Sequence, residues 1–187
     1  MRVTVMGANH AGKSSLISRF VQRNQSPSVV ETIGIDVSTT SISVFQEVYH
    51  IQLIELSHLV GYESLYQQYL INSDLSIVVY DVTVHASYLK AIECIAQTRR
   101  QHGDAYPVVL VGNKIDCIST RRIATRKTMG ELKKKGNIFF IETSAKDGVN
   151  TTECLKMVAI EGSRKADTPS YDIHDFKNTT SSKCVLV

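Results

Sequence analysis

VTVMGANHAGKSS, residues 3 to 15, decides the fold. A short run of strand character, VTVM, leads into a loop that fits GxxxxGK[ST] from Gly7 to Ser14, and SSLISRFVQ (14 to 22) then carries apolar residues at helical spacing. Taken alone the loop could be a glycine-containing strand-to-helix turn. In this context it has a physical purpose. Gly7 and Gly12 permit tight turns, and the backbone N–H groups of Asn9, His10, Ala11, Gly12, Ser14 and Ser15 can face a polyphosphate. The positive end of the helix at Ser14 adds to that field, Lys13 would reach the outer phosphates, and the Ser14 hydroxyl would ligate Mg²⁺.

Outward from this loop, short apolar runs alternate with helix-period segments. SIVVYDV (76 to 82), PVVLVG (107 to 112) and NIFFIE (137 to 142) have the length and β-branched content of buried strands. Between and after them lie a stretch near 62 to 71, SYLKAIECIAQTRRQ (87 to 101), TRKTMGELKKK (125 to 135) and TTECLKMVAIE (151 to 161), each with helical spacing. DVSTTSISV (36 to 44) and VYHIQLIEL (48 to 56), joined by FQE, read as a hairpin. The pattern predicts an α/β phosphate-loop fold: an open sheet, mostly parallel with one antiparallel edge strand, and helices on both faces. Ligands of such sheets sit at the carboxyl ends of the strands. Residues 1 to 162 form one predicted domain, and from Ser163 the apolar pattern stops, so 163 to 187 reads as a flexible tail.

Composition narrows the function. A net charge of +3, with KKK at 133 to 135 the longest basic run, does not point to nucleic acid. No stretch approaches the roughly 18 apolar residues of a membrane span, and MRVTVMG is too short and polar for a signal peptide, so the body is expected to be soluble and intracellular. Cys94, Cys117, Cys154 and Cys184 are far apart, without CxxC spacing, and imply neither a disulfide framework nor a zinc site.

Two further motifs end buried strands. GNKID (112 to 116) follows one and ETSAK (142 to 146) another. Asp116 can accept two hydrogen bonds from the N1 and N2 donors of guanine, which adenine does not present there. Asn113 and Lys114 would brace that pocket with Ser144 and Lys146, and the Ala145 N–H would meet the guanine carbonyl oxygen. NKID alone could be a surface turn and SAK alone a helix cap; their order at successive strand ends argues for a base pocket.

GANHAGKSS, ETIGID (31 to 36), VVYDVT (78 to 83), GNKID and ETSAK together resemble a small GTPase of the Ras superfamily, most of all its Rab branch, over residues 1 to 162. The resemblance implies a GTP/GDP switch with Mg²⁺, an exchange factor, effectors that read the GTP form, and service in vesicle traffic. Thr32 matches the threonine whose hydroxyl ligates Mg²⁺ and whose backbone senses the γ-phosphate.

The departures from the family pattern are as informative as the matches. Aligned without a gap between Ile51 and Thr83, the family's DTAGQ falls on Glu55, Leu56, Ser57, His58 and Leu59. Glu55 keeps a carboxylate for a Mg²⁺ contact through water, with one methylene more. His58 keeps an N–H for the γ-phosphate, but its Cβ restricts the rotation a glycine allows. Leu59 cannot position a water, which leaves no intact catalytic residue. Gln25 stands where an aromatic packs on guanine, and Val37 and Ile54 replace a phenylalanine and a tryptophan of the aromatic cluster that Rab effectors read, while Tyr69 remains. Two readings stay open: a slow regulatory GTPase, or a pseudo-GTPase whose surface acts regardless of nucleotide. A phosphate-loop kinase would need a lid and a second substrate site that the sequence does not offer.

The chain ends in CVLV, a CaaX arrangement for prenylation of Cys184. It implies a prenyltransferase, a prenyl-binding chaperone, and a protein that is cytoplasmic and reversibly held on the cytosolic face of an endomembrane or the plasma membrane. Arg164, Lys165, Lys177 and Lys183 face Asp167, Asp172 and Asp175, so the tail lacks a strong basic second signal. The expected outcome in cell fractionation is partial, reversible membrane association that Cys184→Ser abolishes; equal membrane fractions of parent and variant would disprove prenylation as the anchor.

Overall fold

Strand β1 (Arg2–Gly7) is buried from Val3 onward because it runs through the middle of a six-stranded sheet. The computed structural model describes residues 1–21, 34–56, 63–117, 119, 123 and 136–164, with side chains of 63–66 excepted. On one side of β1 lies β3 (Glu47–Leu56), and beyond it β2 (Ile35–Val44). On the other side follow β4 (Leu75–Asp81), β5 (Val108–Asn113) and β6 (Ile138–Thr143). All neighbours pair in parallel except β2, which runs antiparallel to β3 along one edge. The mostly parallel sheet with one antiparallel edge is the architecture the sequence pattern predicts.

Covered faces explain the continuous apolar runs: β4 and β5 are buried at every residue. Alternation along the strands then sorts the core. Val3, Val5, Ile77, Val79, Val109 and Val111 pack with Leu16 and Phe20 of α1 (Lys13–Val21) and with Leu155 and Val158 of α4 (Thr151–Ser163). Met6, Val78, Tyr80 and Leu110 face the other way, toward Leu70 of α2 (Glu63–Ile71) and Tyr88, Ala91 and Ile95 of α3 (His85–His102). Tyr80 and Tyr88 meet edge to face, with ring centroids 5.3 Å apart. Two polar pairs sit in this interior: Thr4 Oγ1 and Ser76 Oγ share a hydrogen bond of 2.7 Å, and the Tyr106 hydroxyl bonds Ser73 Oγ at 2.7 Å.

Three boundaries differ from the sequence reading. The hairpin turn is Phe45 and Gln46 alone, since Glu47 pairs with Val44; both turn residues have positive φ, 49° and 69°, the conformation that matches the twist of the flanking strands. Helix α3 begins at His85 rather than Ser87. The Ser87 hydroxyl accepts from the Asp81 N–H at 2.8 Å, which fixes the turn out of β4 in place of a side-chain cap. Finally, β5 and β6 extend to Asn113 and Thr143, so residues of the two base-pocket motifs begin on rigid strand ends. The helix expected over 125–135 lies outside the described residues.

The sheet gathers the carboxyl ends of β1, β4, β5 and β6 along one rim, with Asp81 opposite Asn113 and Asn113 opposite Thr143. Gly7 turns the chain off β1 with φ 139°, and a Cβ there would sit 2.0 Å from the Val79 carbonyl oxygen. Gly7→Ala therefore strains both the backbone and the β1–β4 pairing, at a cost of about 3 kcal/mol. The expected fall in Tm is roughly 6–12 °C by calorimetry; an unchanged Tm would show that the two strands part without penalty.

Candidate nucleotide-binding site

Between β1 and α1 the chain makes a wide loop. His10 and Gly12 adopt positive φ, 60° and 92°, the Ala11 N–H donates to the Ala8 carbonyl at 3.3 Å, and the first helical bond runs from the Leu16 N–H to the Gly12 carbonyl at 2.9 Å. Asn9 and His10 are exposed at its tip, Ala11 is buried beneath, and Gly12, Ser14 and Ser15 are half-buried. Lys13 folds over the loop: its ammonium donates to the Ala8 carbonyl at 3.1 Å and to the Gly7 carbonyl at 3.4 Å. Burial pulls the Lys13 pKa down, while the charge of Glu55 pushes it back up.

Asn113 ties this loop to the rest of the rim. Its Nδ2 donates to the Ala11 carbonyl at 3.0 Å, and its Oδ1 accepts from Thr143 Oγ1 at 3.1 Å and from the Ala145 N–H at 3.0 Å. One carboxamide thus joins the phosphate loop, the end of β5 and the turn after β6. It also dictates Gly12, where a Cβ would lie 2.3 Å from Asn113 Nδ2.

Asp116 and Ser144 meet across the base-pocket loops, with Ser144 Oγ donating to Asp116 Oδ1 at 2.8 Å and accepting from the Asp147 N–H at 3.0 Å. Burial alone would raise the Asp116 carboxyl, but the Ser144 hydroxyl, its own backbone N–H, the Cys117 thiol and the charge of Lys146 hold it below the usual carboxylate range. The Ala145 N–H, expected from the sequence to meet the guanine carbonyl oxygen, instead serves Asn113. The neighbouring Lys146 N–H makes no hydrogen bond among the described residues and is the open donor of that turn.

Three residues with no role assigned from sequence complete the frame. Arg19 of α1 reaches across to the Ala145 carbonyl with Nε at 2.6 Å, and to the Lys146 carbonyl with Nη2. Asp81 accepts from the Thr83 N–H and hydroxyl at 2.8 and 2.6 Å, and pairs with the Lys114 ammonium at 2.7 Å. Burial acts to raise the Asp81 pKa, and Lys114 with Thr83 more than reverses it. Lys114 itself takes positive φ, 69°, so its side chain is held over the rim by this ion pair. The DVT spacing, an aspartate followed two residues on by threonine, was the available signal for Asp81. Arg19 and Thr143 left none, because their partners, Ala145 and Asn113, lie 126 and 30 residues away in the sequence.

On the far side of Lys13, the Ser14 hydroxyl donates to Glu55 Oε1 at 2.8 Å. Burial raises the Glu55 carboxyl; Ser14 and Lys13 partly offset this, and Asp36, opposite it on β2, adds to the rise. Hard oxygen donors side by side suit Mg²⁺, so Ser14 and Glu55 fit the ion the loop implies. Thr32, the other expected ligand, and His58, Leu59, Gln25 and Cys184 lie outside the described residues. Val37 and Ile54 stand opposite one another on β2 and β3, Val37 exposed and Ile54 buried, and Tyr69 packs against the same core cluster as Ile54.

A strand, a phosphate loop capping a helix, and polar groups from three further strand ends define a phosphate-loop nucleotide-binding protein of the α/β class. The Ras family model matches residues 2–163. Similar proteins include a Ypt/Rab-type GTPase, avaA, of Emericella nidulans, 27% identical over 98% of this chain and 96% of the relative. Another is the Ras-related protein Rab7A of Mesembryanthemum crystallinum, 30% identical over 98% of this chain and 95% of that protein. The chain belongs to the Ras family, and within it is Rab-like.

Proposed function

We propose that this chain is a guanine-nucleotide-binding switch that regulates vesicle-mediated membrane traffic and hydrolyses GTP very slowly or not at all. The observation that carries the reading is the Asn113 carboxamide, which sets the phosphate loop and the Asp116–Ser144 pair in one rigid frame. Asp116, favoured in its ionised form, would accept from guanine N1 and N2, and the Lys146 N–H would donate to the guanine carbonyl oxygen. Lys13 and the loop N–H groups would hold the phosphates, with Ser14 and Glu55 on the metal side. Bound Mg²⁺ would offset phosphate charge. The Rab-type names of the relatives support the place in membrane traffic.

Hydrolysis of GTP needs little covalent help; it needs a positioned water and compensation for charge on the γ-phosphoryl oxygens. Leu59 cannot hydrogen-bond a water. Gln67 and Gln68 lie exposed on α2, a turn or more into that helix. Asn9, exposed at the loop tip, adds bulk where an arginine finger would enter.

A second reading, an interaction module indifferent to nucleotide, draws on the Ser14–Glu55 hydrogen bond, which gives the Ser14 hydroxyl a protein partner. Chromatography of the denatured, purified protein separates the two: GTP or GDP near one per chain supports the switch, and none supports the module.

Two outcomes are expected. Displacement of a fluorescent guanine nucleotide should need far more ATP than GTP, and Asp116→Asn should shift preference toward xanthine nucleotides; equal competition by ATP and GTP would refute the guanine pocket. In single-turnover assays of preloaded GTP, a Rab-type activating protein, whose arginine finger normally adds roughly 10³–10⁵ in rate, should add less than about tenfold. Leu59→Gln alone should restore little, since Glu55 and His58 remain. A parent rate equal to that of an ordinary Rab protein would show that the chemistry does not depend on these positions.

A further inference from the structure

We propose that Glu55 binds the magnesium ion directly, through its carboxylate, where the family's shorter aspartate acts through a water. This rests on the nucleotide-switch reading of the same site.

Glu55 is next to last in strand β3, beside the phosphate loop, and is 3% exposed. Its Oε1 stands 2.8 Å from the Ser14 oxygen. In an octahedron with metal–oxygen distances near 2.0–2.1 Å, adjacent ligand oxygens are separated by about 2.9 Å. The two oxygens are thus already spaced as neighbours on one Mg²⁺ ion. Glu55 Oε2 has no hydrogen bond among the described residues and is open to a further donor or the ion.

Reach agrees with spacing. A carboxylate that contacts the ion through water stands about 2 Å farther from it than a direct ligand does. The added methylene of glutamate lengthens the side chain by about 1.5 Å, most of that difference. Backbone placement does not offset the gain, because Glu55 is locked in the sheet, paired in register with Val5 of β1 and Asp36 of β2.

Charge favours the same outcome. A carboxylate at this depth is costly unless neutralised, and Asp36 across the strand pair adds a like charge. Lys13 offsets part of this, yet its ammonium already serves the Gly7 and Ala8 carbonyls. A directly bound divalent cation would neutralise Glu55 and leave Lys13 for phosphate.

The test counts waters on the metal. Mn²⁺ replaces Mg²⁺ in the GDP-loaded full chain, and electron paramagnetic resonance in ¹⁷O-enriched water reports the water ligands. With Ser14, one phosphate oxygen and Glu55 on a six-coordinate ion, about three waters are expected. Glu55→Asp and Glu55→Gln should each gain one. About four waters in the parent, unchanged in both variants, would overturn the direct contact while leaving the nucleotide site intact. Failure of the parent to retain GDP would overturn the reading of the site and this inference with it.

Discussion

Everything at the functional rim depends on the three hydrogen bonds of the Asn113 side chain. A buried carboxamide must satisfy both its donor and its acceptor, and here it does so by drawing the Ala11 carbonyl, the Thr143 hydroxyl and the Ala145 N–H to one point. Those partners come from a loop near the start of the chain and from segments on either side of the end of β6. Gly12 is the steric counterpart of the same demand, because its missing Cβ makes room for Asn113. Asp116 and Lys114 sit one to three residues beyond and inherit their positions from it. The Lys114–Asp81 ion pair and the Arg19 contacts then fasten the outer parts of the frame to β4 and α1.

This dependence explains what the sequence disclosed and what it withheld. Local patterns were readable wherever the physics is local. The glycines and lysine of GANHAGKSS mark a strand-to-helix phosphate loop, and the mainly apolar runs at 76 to 82 and 107 to 112 mark strands covered on both faces, as β4 and β5 are. NKID and SAK were recognisable as motifs. The allocation of their hydrogen bonds was not, because whether the Ala145 N–H serves a ligand or Asn113 is settled by strand register and not by neighbours in sequence. The sequence pattern makes the hairpin loop one residue too long for a similar reason: Phe and Gln are poor turn formers, and only pairing with the opposite strand shows that Glu47 already belongs to β3.

The metal side of the site is different in kind. Ser14 and Glu55 are brought together by the parallel pairing of β1 with β3, which sets Val5 beside Glu55 and places the phosphate loop just above it. Substituting glutamate for aspartate is conservative by charge and disruptive by length. In a sheet that fixes Cα positions, all the added length must appear at the carboxylate. The geometry of this rim is therefore sensitive to a change of a single methylene in a way that the exposed face of α3 is not.

The Phe45–Gln46 turn carries a different lesson. Two ordinary L-residues held at positive φ each cost about 1–2 kcal/mol, and Phe45 is left 76% exposed, so packing along the strands must offset the cost of the turn. The strand pair is held instead by its inward side chains, with Val44 beside the turn and Ile42, Ile51 and Leu53 farther along all entering the core. The hairpin is thereby anchored almost to its tip, and β2, as the edge strand, presents its outer row of backbone groups on a firm support.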